Sequence, residues 1–338
     1  MQPIYIEMDG KKFLLANNQF EHRLDAGTVT SVVLSGSTDI DWQIGTAVTL
    51  VIYNQRFSLS VIEFDYNPKT GGDTVLRLAD AIYTAPPFIA EAFEETNWET
   101  ILKTRFGTIN GKTELLSENV PMLFVDKLTV KELLCIIAAK NNVHFGMNDA
   151  GLWLDELPSE VFEPDVSDVR KTPYGYRCKI NVSDGKLPTV GSWVKFPLKL
   201  RGRVYEEPIQ KSVSSLQFEN EECWLEIGEP NLPKLIPSSH IRLVNAKVIE
   251  TEPLKIEFTL PEKENSITYC SELYTLTAGS TRIEVPLQNG DNVLAAVPTG
   301  ITDKPMVVFP YNINQVSDTF VITTENMNIS AKEINING

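Results

Sequence analysis

The sequence predicts a mainly β protein: two small β-units around a helical insertion, a small barrel of the oligosaccharide/oligonucleotide-binding (OB) type, and a short C-terminal trimeric β-prism. Three observations predict it. Over most of the chain, short runs of alternating apolar and polar residues are separated by turn-forming pairs such as Asp9-Gly10, the pattern of half-buried strands joined by hairpins. One stretch breaks that pattern, placing Val130, Leu133, Leu134 and Ile137 on a single helical face. The last nineteen residues, Phe320 to Gly338, repeat with a period of seven.

The first unit, 1–87, reads almost wholly as strand. Asp9-Gly10 and Asn54-Gln55 are hairpin turns, the second between TAVTLVIY and RFSLSVIEFDY. Asn67-Pro68 and Gly71-Gly72 break the chain before DTVLRLADAIY. Five or six short strands in about eighty residues suit a small barrel or a sandwich. Pro86-Pro87 ends the unit.

The insertion, 88–165, changes period. Thr129 and Glu132 form a capping box, with Leu128 and Leu133 as the accompanying apolar staple, so a helix is expected from Val130 to Asn141. Residues 91–106, with Phe93, Trp98, Ile101 and Leu102, are expected to contain another. In the second β-unit, 166–236, strand signals return from about Tyr176 as YRCKINV, SWVKFPLKL, RVYEEPIQKSVSSLQF and CWLEIG. Pro230, Pro233 and Pro237 mark a linker.

The next unit, 237–314, contains Leu254, Ile256, Phe258 and Leu260 in alternation, then Ile283, Val285 and Leu287. The turn Gln288-Asn289-Gly290-Asp291 leads to VLAAV, and MVVF closes the set. Some five strands in about seventy residues fit a Greek-key barrel of the OB type.

In the terminal segment, 315–338, Phe320, Met327 and Ile334 fall in one column of the repeat and Ile322, Ile329 and Ile336 in a second. Each unit is a five-residue alternating strand and a two-residue polar turn, so both columns face one side. One chain cannot cover that face; symmetry-related copies can, giving an intertwined prism with these six residues as the trimer interface. The competing reading is an ordinary C-terminal meander.

Composition narrows the function. A formal charge of -15 argues against stable nucleic-acid binding, which needs basic patches, although DNA sliding through a channel remains compatible with it. The four cysteines lie far apart with no C-x-x-C pair, as expected of reduced thiols in a cytosol. The N-terminus has no secretory pattern, and the run Leu133 to Ala139 is too short to span a bilayer, so no transmembrane segment is expected. His22, His144 and His240 are isolated, so no metal site is expected, and no phosphate-cradling or nucleophile-elbow motif occurs, so neither cofactor nor catalytic residue is assigned. Trp153, Trp193 and Trp224 read as core, and the basic stretch Lys195 to Arg203 as exposed strand or a contact to an acidic neighbour.

The order of these units resembles the fused hub and spike of phage tails and type VI secretion systems, the valine-glycine-repeat family. IGTAVTLVIYNQRFSLSVIEFDYN is similar to the first tube-like domain of such hubs, LPTVGSWVKF through CWLEIG to the second, and NGDNVLAAV with MVVF to the closing strands of the spike's barrel. The resemblance implies two tube-like β-barrel domains per chain, a trimer that imitates a six-fold ring, and a three-fold spike capping a six-fold tube. It implies a structural, non-enzymatic hub made in the bacterial cytoplasm and built into a virion baseplate or injection particle. Its implied partners are two further copies, a tail tube or distal tail ring protein and baseplate subunits, with the C-terminal end open to a tip protein.

Two departures matter. Family spikes usually repeat every eight residues, whereas this one repeats every seven over three units. No His-x-His element follows, which leaves either a separate tip protein or a bare blunt end near Gly338. The alternatives are a receptor- or polysaccharide-binding tail protein or adhesin, and an envelope-degrading enzyme with a carboxylate pair assembled only in three dimensions.

Overall fold

Asp9 and Gly10 both hold positive φ, 49° and 74°, which a tight two-residue hairpin turn demands. They join β1 (Tyr5–Met8) to β2 (Lys11–Arg23) in a computed structural model that describes residues 4–34, 40–67, 73–182, 185–197, 199–200, 203–204, 209–219, 222–228, 240–278, 281–284, 286–310 and 321–323. β3 (Gly27–Leu34), β4 (Ala47–Ile52), β5 (Gln55–Asn67) and β6 (Asp73–Ala79) complete the order β1-β4-β5-β6-β3-β2. β1 pairs with both β4 and β2, so the first unit is a closed six-strand barrel. Alternation points Ile6, Phe20, Val32, Leu50, Leu76 and Leu78 inward, all fully or almost fully buried. The second hairpin turn is Tyr53-Asn54, one residue before the expected position, because Gln55 already pairs with Ile52.

Asp80 caps α1 (Ala81–Thr84) by accepting from the Ile82 N–H. β7 (Glu91–Asn97), α2 (Trp98–Lys103), β8 (Ile109–Gly111), α3 (Thr113–Leu116), β9 (Asn119–Asp126), α4 (Val130–Asn141), β10 (His144–Asn148) and β11 (Gly151–Asp155) follow. α4 has the expected bounds, with both halves of the capping box formed between Thr129 and Glu132. The helix expected within 91–106 starts only at Trp98: residues 91–97 are strand, paired with β9, and the Asn97 side chain caps α2 through the Thr100 N–H.

β12 (Val161–Phe162), β13 (Asp165–Thr172), β14 (Gly175–Asn181), β15 (Trp193–Phe196), β16 (Lys199–Leu200), β17 (Arg203–Val204), β18 (Ile209–Glu219) and β19 (Glu222–Gly228) come next. Six of them run β13-β14-β19-β18-β15-β12, which repeats strand for strand the first set read as β2-β3-β6-β5-β4-β1. This second set does not close, because β12 pairs with β15 and not with β13. β18 pairs with β2, joining both sets into one twelve-stranded sheet over a shared core.

Contacts divide the chain into two units: 1–87, 96–119 and 129–236 in one; 88–95, 120–128 and 237–338 in the other. In the second, β20 (Ile241–Thr251), β21 (Leu254–Phe258), β22 (Ile267–Leu273), β25 (Asn292–Pro298) and β27 (Met306–Pro310) close a five-strand barrel in the order β20-β21-β22-β27-β25, with β22 and β27 parallel. β23 (Leu276–Ala278) and β24 (Thr281–Glu284) lie outside it, pairing with β28 (Val321–Thr323) in a separate sheet. The alternation seen at Ile283 is therefore a strand signal, but of this small sheet rather than the barrel. β26 (Gly300–Thr302) pairs with β9.

Candidate functional site

Of the six residues assigned to the apolar columns, Ile322 alone is among the described residues. It lies on β28, paired in register with Ile283 of β24. Phe320, Met327, Ile329, Ile334 and Ile336 lie outside the described residues, as does the proline-marked stretch 229–239.

The best-defined structural feature is the seam where β2 meets β18. β18 divides its length among three neighbours: Ile209–Ser212 pair with β15, Val213–Glu219 with β19, and on the other side Ser215–Glu219 with Arg23–Gln19 of β2. Beneath the seam the Phe20 ring lies 4.6 Å from Phe57 and 6.5 Å from Phe218. On the opposite face Gln217 donates to Glu21 at 2.8 Å and accepts from Arg177 at 3.2 Å. Trp224 carries the guanidinium of Arg177 at 4.7 Å and that of Arg170 at 5.1 Å, and its indole N–H donates to Glu222. Hydrogen bonds from Lys179 and Trp224 hold the Glu222 carboxyl below its ordinary range. One wall of this sheet is thus greasy and the other a mesh of compensated charges.

Buried polar groups brace the same unit. Asp25 is 3% exposed and accepts from the Phe145 N–H and from His144, each at 2.8 Å, tying the β2–β3 turn to β10. Asp80 accepts from the Thr28 N–H at 2.6 Å, and burial raises its carboxyl to about 6 despite the hydrogen bonds that oppose the shift. Gly27 permits this approach: at φ 85°, a Cβ there would lie 2.8 Å from an Asp80 oxygen. His22 is held near 4 by burial, with Nδ1 2.8 Å from the Thr28 hydroxyl. Sequence reasoning missed these acids because an Asp beside a turn reads as surface.

In the other unit, fully buried Asp126 accepts from Arg242 at 2.8 Å and from the Ala90 N–H at 3.1 Å. Glu262 bridges Lys127 and Arg242, and the Lys127 hydrogen bond leads in holding its carboxyl down at about 2. These ion pairs fasten 88–95 and 120–128 to the five-strand barrel, with Phe124 packed 5.7 Å from Tyr269.

A cleft of about 840 Å³ beside β11 is lined in part by Gln55, Asp149, Trp153 and Glu156. Glu156 is ion-paired to Lys112 at 2.8 Å and its pKa is lowered, the opposite of what a general acid needs. Trp153 is half-buried against the core, and Trp193 on β15 is half-buried. Burial pushes the Cys135 thiol up to about 11 and Cys178 to about 12, leaving little nucleophilic thiolate at neutral pH. Among the described residues, no group of three or more potential ligands is placed to hold a metal, and no helix is long and apolar enough to cross a membrane.

No family description and no curated protein matches the sequence. Solved structures do match. The E. coli c3393 protein, described as a component of the type VI secretion system with structural similarity to T4 bacteriophage tail proteins gp27 and gp5, aligns with a TM-score of 0.62 at 10% identity, over 91% of this chain and 99% of that one. The 43 kDa tail protein of prophage MuSo2 from Shewanella oneidensis aligns with a TM-score of 0.51 at 11% identity, over 67% of this chain and 97% of that one. The chain shares the mainly β fold of these phage-tail and type VI secretion proteins.

Proposed function

We propose that this chain is the structural hub and spike of a phage tail or related injection machine. Three copies end a tail tube in a baseplate and point a short C-terminal spike at the target envelope. In this reading 1–87 and 166–236 are the tube-like domains, 88–165 the insertion, 237–314 the OB-type barrel and 315–338 the prism. Phe320, Ile322, Met327, Ile329, Ile334 and Ile336 cover one another across three chains. The partners are two further copies, the tail tube or distal tail ring and baseplate subunits, and the C-terminal end either takes a separate tip protein or stays bare. The hub is made in the bacterial cytoplasm and works as part of the particle, without enzymatic activity.

One observation carries the reading. Two six-strand sets of the same order are fused into one sheet within a chain that also holds a five-strand barrel, and this combination aligns with c3393 over 91% of the length. The OB assignment is supported by the strand order, in which the third and fifth strands are parallel neighbours. The charge of -15 disfavours stable retention of nucleic acid passing through such a hub.

The double variant Ile329→Asp with Ile336→Asp tests the reading, since each carboxylate would enter the apolar column without a partner. The expected result by light scattering and circular dichroism is loss of the trimer with the β-fold of the first unit retained. A trimer that survives both substitutions contradicts the prism as the assembly device.

A further inference from the structure

The cleft beside β11 carries charge that a purely structural hub does not need. It lies wholly within the first contact unit, and its volume of about 840 Å³ suits a short peptide or another ligand of that size. The cations around it are already neutralised: Arg56 pairs with Glu7 at 3.1 Å and Lys112 with Glu156 at 2.8 Å. Two carboxylates of the lining are not. Among the described residues Asp155 accepts only the Glu156 N–H, and Asp149, in the turn between β10 and β11, has no partner.

Between these acids the wall is aromatic. Gly146 stands opposite Trp153 in the β10–β11 ladder, and a Cβ there would lie 2.7 Å from the indole nitrogen and 3.1 Å from a ring carbon. Without that side chain the indole lies down over β10, close against its backbone. Trp153 and Asp155, two residues apart on β11, stand on one face about 7 Å apart at the usual strand rise. A buried polar member of the lining is His22, 6% exposed. Asp80 accepts from the Thr28 hydroxyl as well as from the Thr28 N–H, which commits the one hydroxyl proton. Nδ1 of neutral His22 is therefore the donor to Thr28, and Nε2 is an acceptor with no partner among the described residues.

We infer that this cleft binds an arginine side chain carried by a peptide segment, the guanidinium stacked on Trp153 and paired with Asp155. Such a site does not depend on whether the chain is a trimer. A planar guanidinium can lie on an aromatic face while its N–H groups reach a carboxylate beside the ring, and it sheds water more readily than the ammonium of lysine. Asp149 and the free His22 nitrogen add acceptors for the N–H groups of the same segment. A neutral sugar would use the ring and leave two carboxylates without counter-charge. Two sources carry such an arginine: another protein, or the basic stretch Lys195 to Arg203 of a second copy.

Titration calorimetry of the full chain with the capped tripeptide Gly-Arg-Gly tests this, against the same peptide with citrulline, which keeps the shape and loses the charge. The arginine peptide should bind, and the citrulline peptide about tenfold more weakly. Asp155→Asn should weaken the arginine peptide about tenfold and Asp149→Asn about threefold, because only the first adjoins the ring. Gly146→Ala, which lifts the indole off β10, should weaken it with both carboxylates in place. Chitotriose, a neutral sugar, should give no heat.

Arg201→Gln with Arg203→Gln distinguishes the sources. Unchanged peptide affinity assigns the cleft to another protein; tighter binding assigns it to the second copy's basic stretch, which the peptide no longer has to displace. Equal binding of the two peptides, indifference to Asp155→Asn, or no heat from the arginine peptide at about 5 mM overturns the site. So does chitotriose binding in place of the arginine peptide, which would make the Trp153 wall a sugar platform.

Discussion

The two six-strand sets share one plan and differ at one joint. The first closes because Asp9-Gly10 adopts positive φ at both positions, folding β1 back onto β2. The link between β12 and β13 reads Glu163-Pro164, and a proline ring fixed near φ -65° cannot take a turn with positive φ at both positions. β12 instead pairs in parallel with β15, and β13 keeps an open edge. A two-residue difference in turn chemistry thus separates a self-contained barrel from one with a side still to pair.

The sets nevertheless depend on each other through the seam of β2 and β18, which gives ways to break the comparison. The largest effect is expected from Phe20→Ala. Its ring packs against Phe57 of the first set and Phe218 of the second, and truncation should cost about 3–5 kcal/mol. In a urea titration both sets should lose stability in one transition. Two well-separated transitions, with the second set unaffected, would mean that they fold independently.

A smaller effect distinguishes the sets by pH. His22 pairs with Leu216 across the seam, and aligning the register shift of β2 at Leu15/Asn17 with that of β13 at Val166/Asp168 places Pro173 at its position in the second set. Its folded pKa near 4 lies below the ordinary 6.5, so between those values the unfolded chain binds a proton that the folded chain does not. Its contribution is complete above pH 6.5 and declines as pH falls toward 4, by about 3 kcal/mol. His22→Gln should therefore gain on the parent protein by about that amount between pH 7 and pH 4. Asp80, raised to about 6 in the opposite sense, is common to both chains and cancels in the difference. A difference that does not move with pH would place His22 in contact with water.

Local patterns in the sequence predict local structure here. The capping box placed α4 to the residue, and alternation located β4, β21 and β25. β13 escaped notice because DVSDVRKT is mostly polar and its burial alternates only weakly. The seam itself was illegible, since Gln217 and Glu21 are separated by 196 positions and no local pattern encodes which edges meet. β24 shows the intermediate case: its alternation predicts a strand, while the identity of its sheet depends on β28, more than thirty residues later.

The central claim is that copies of this chain complete one another. The most direct measurement is the mass of the purified full chain in solution, taken by light scattering across a dilution series. The account predicts three times the chain mass, held on dilution. A correctly folded protein with the mass of one chain at high concentration would contradict it.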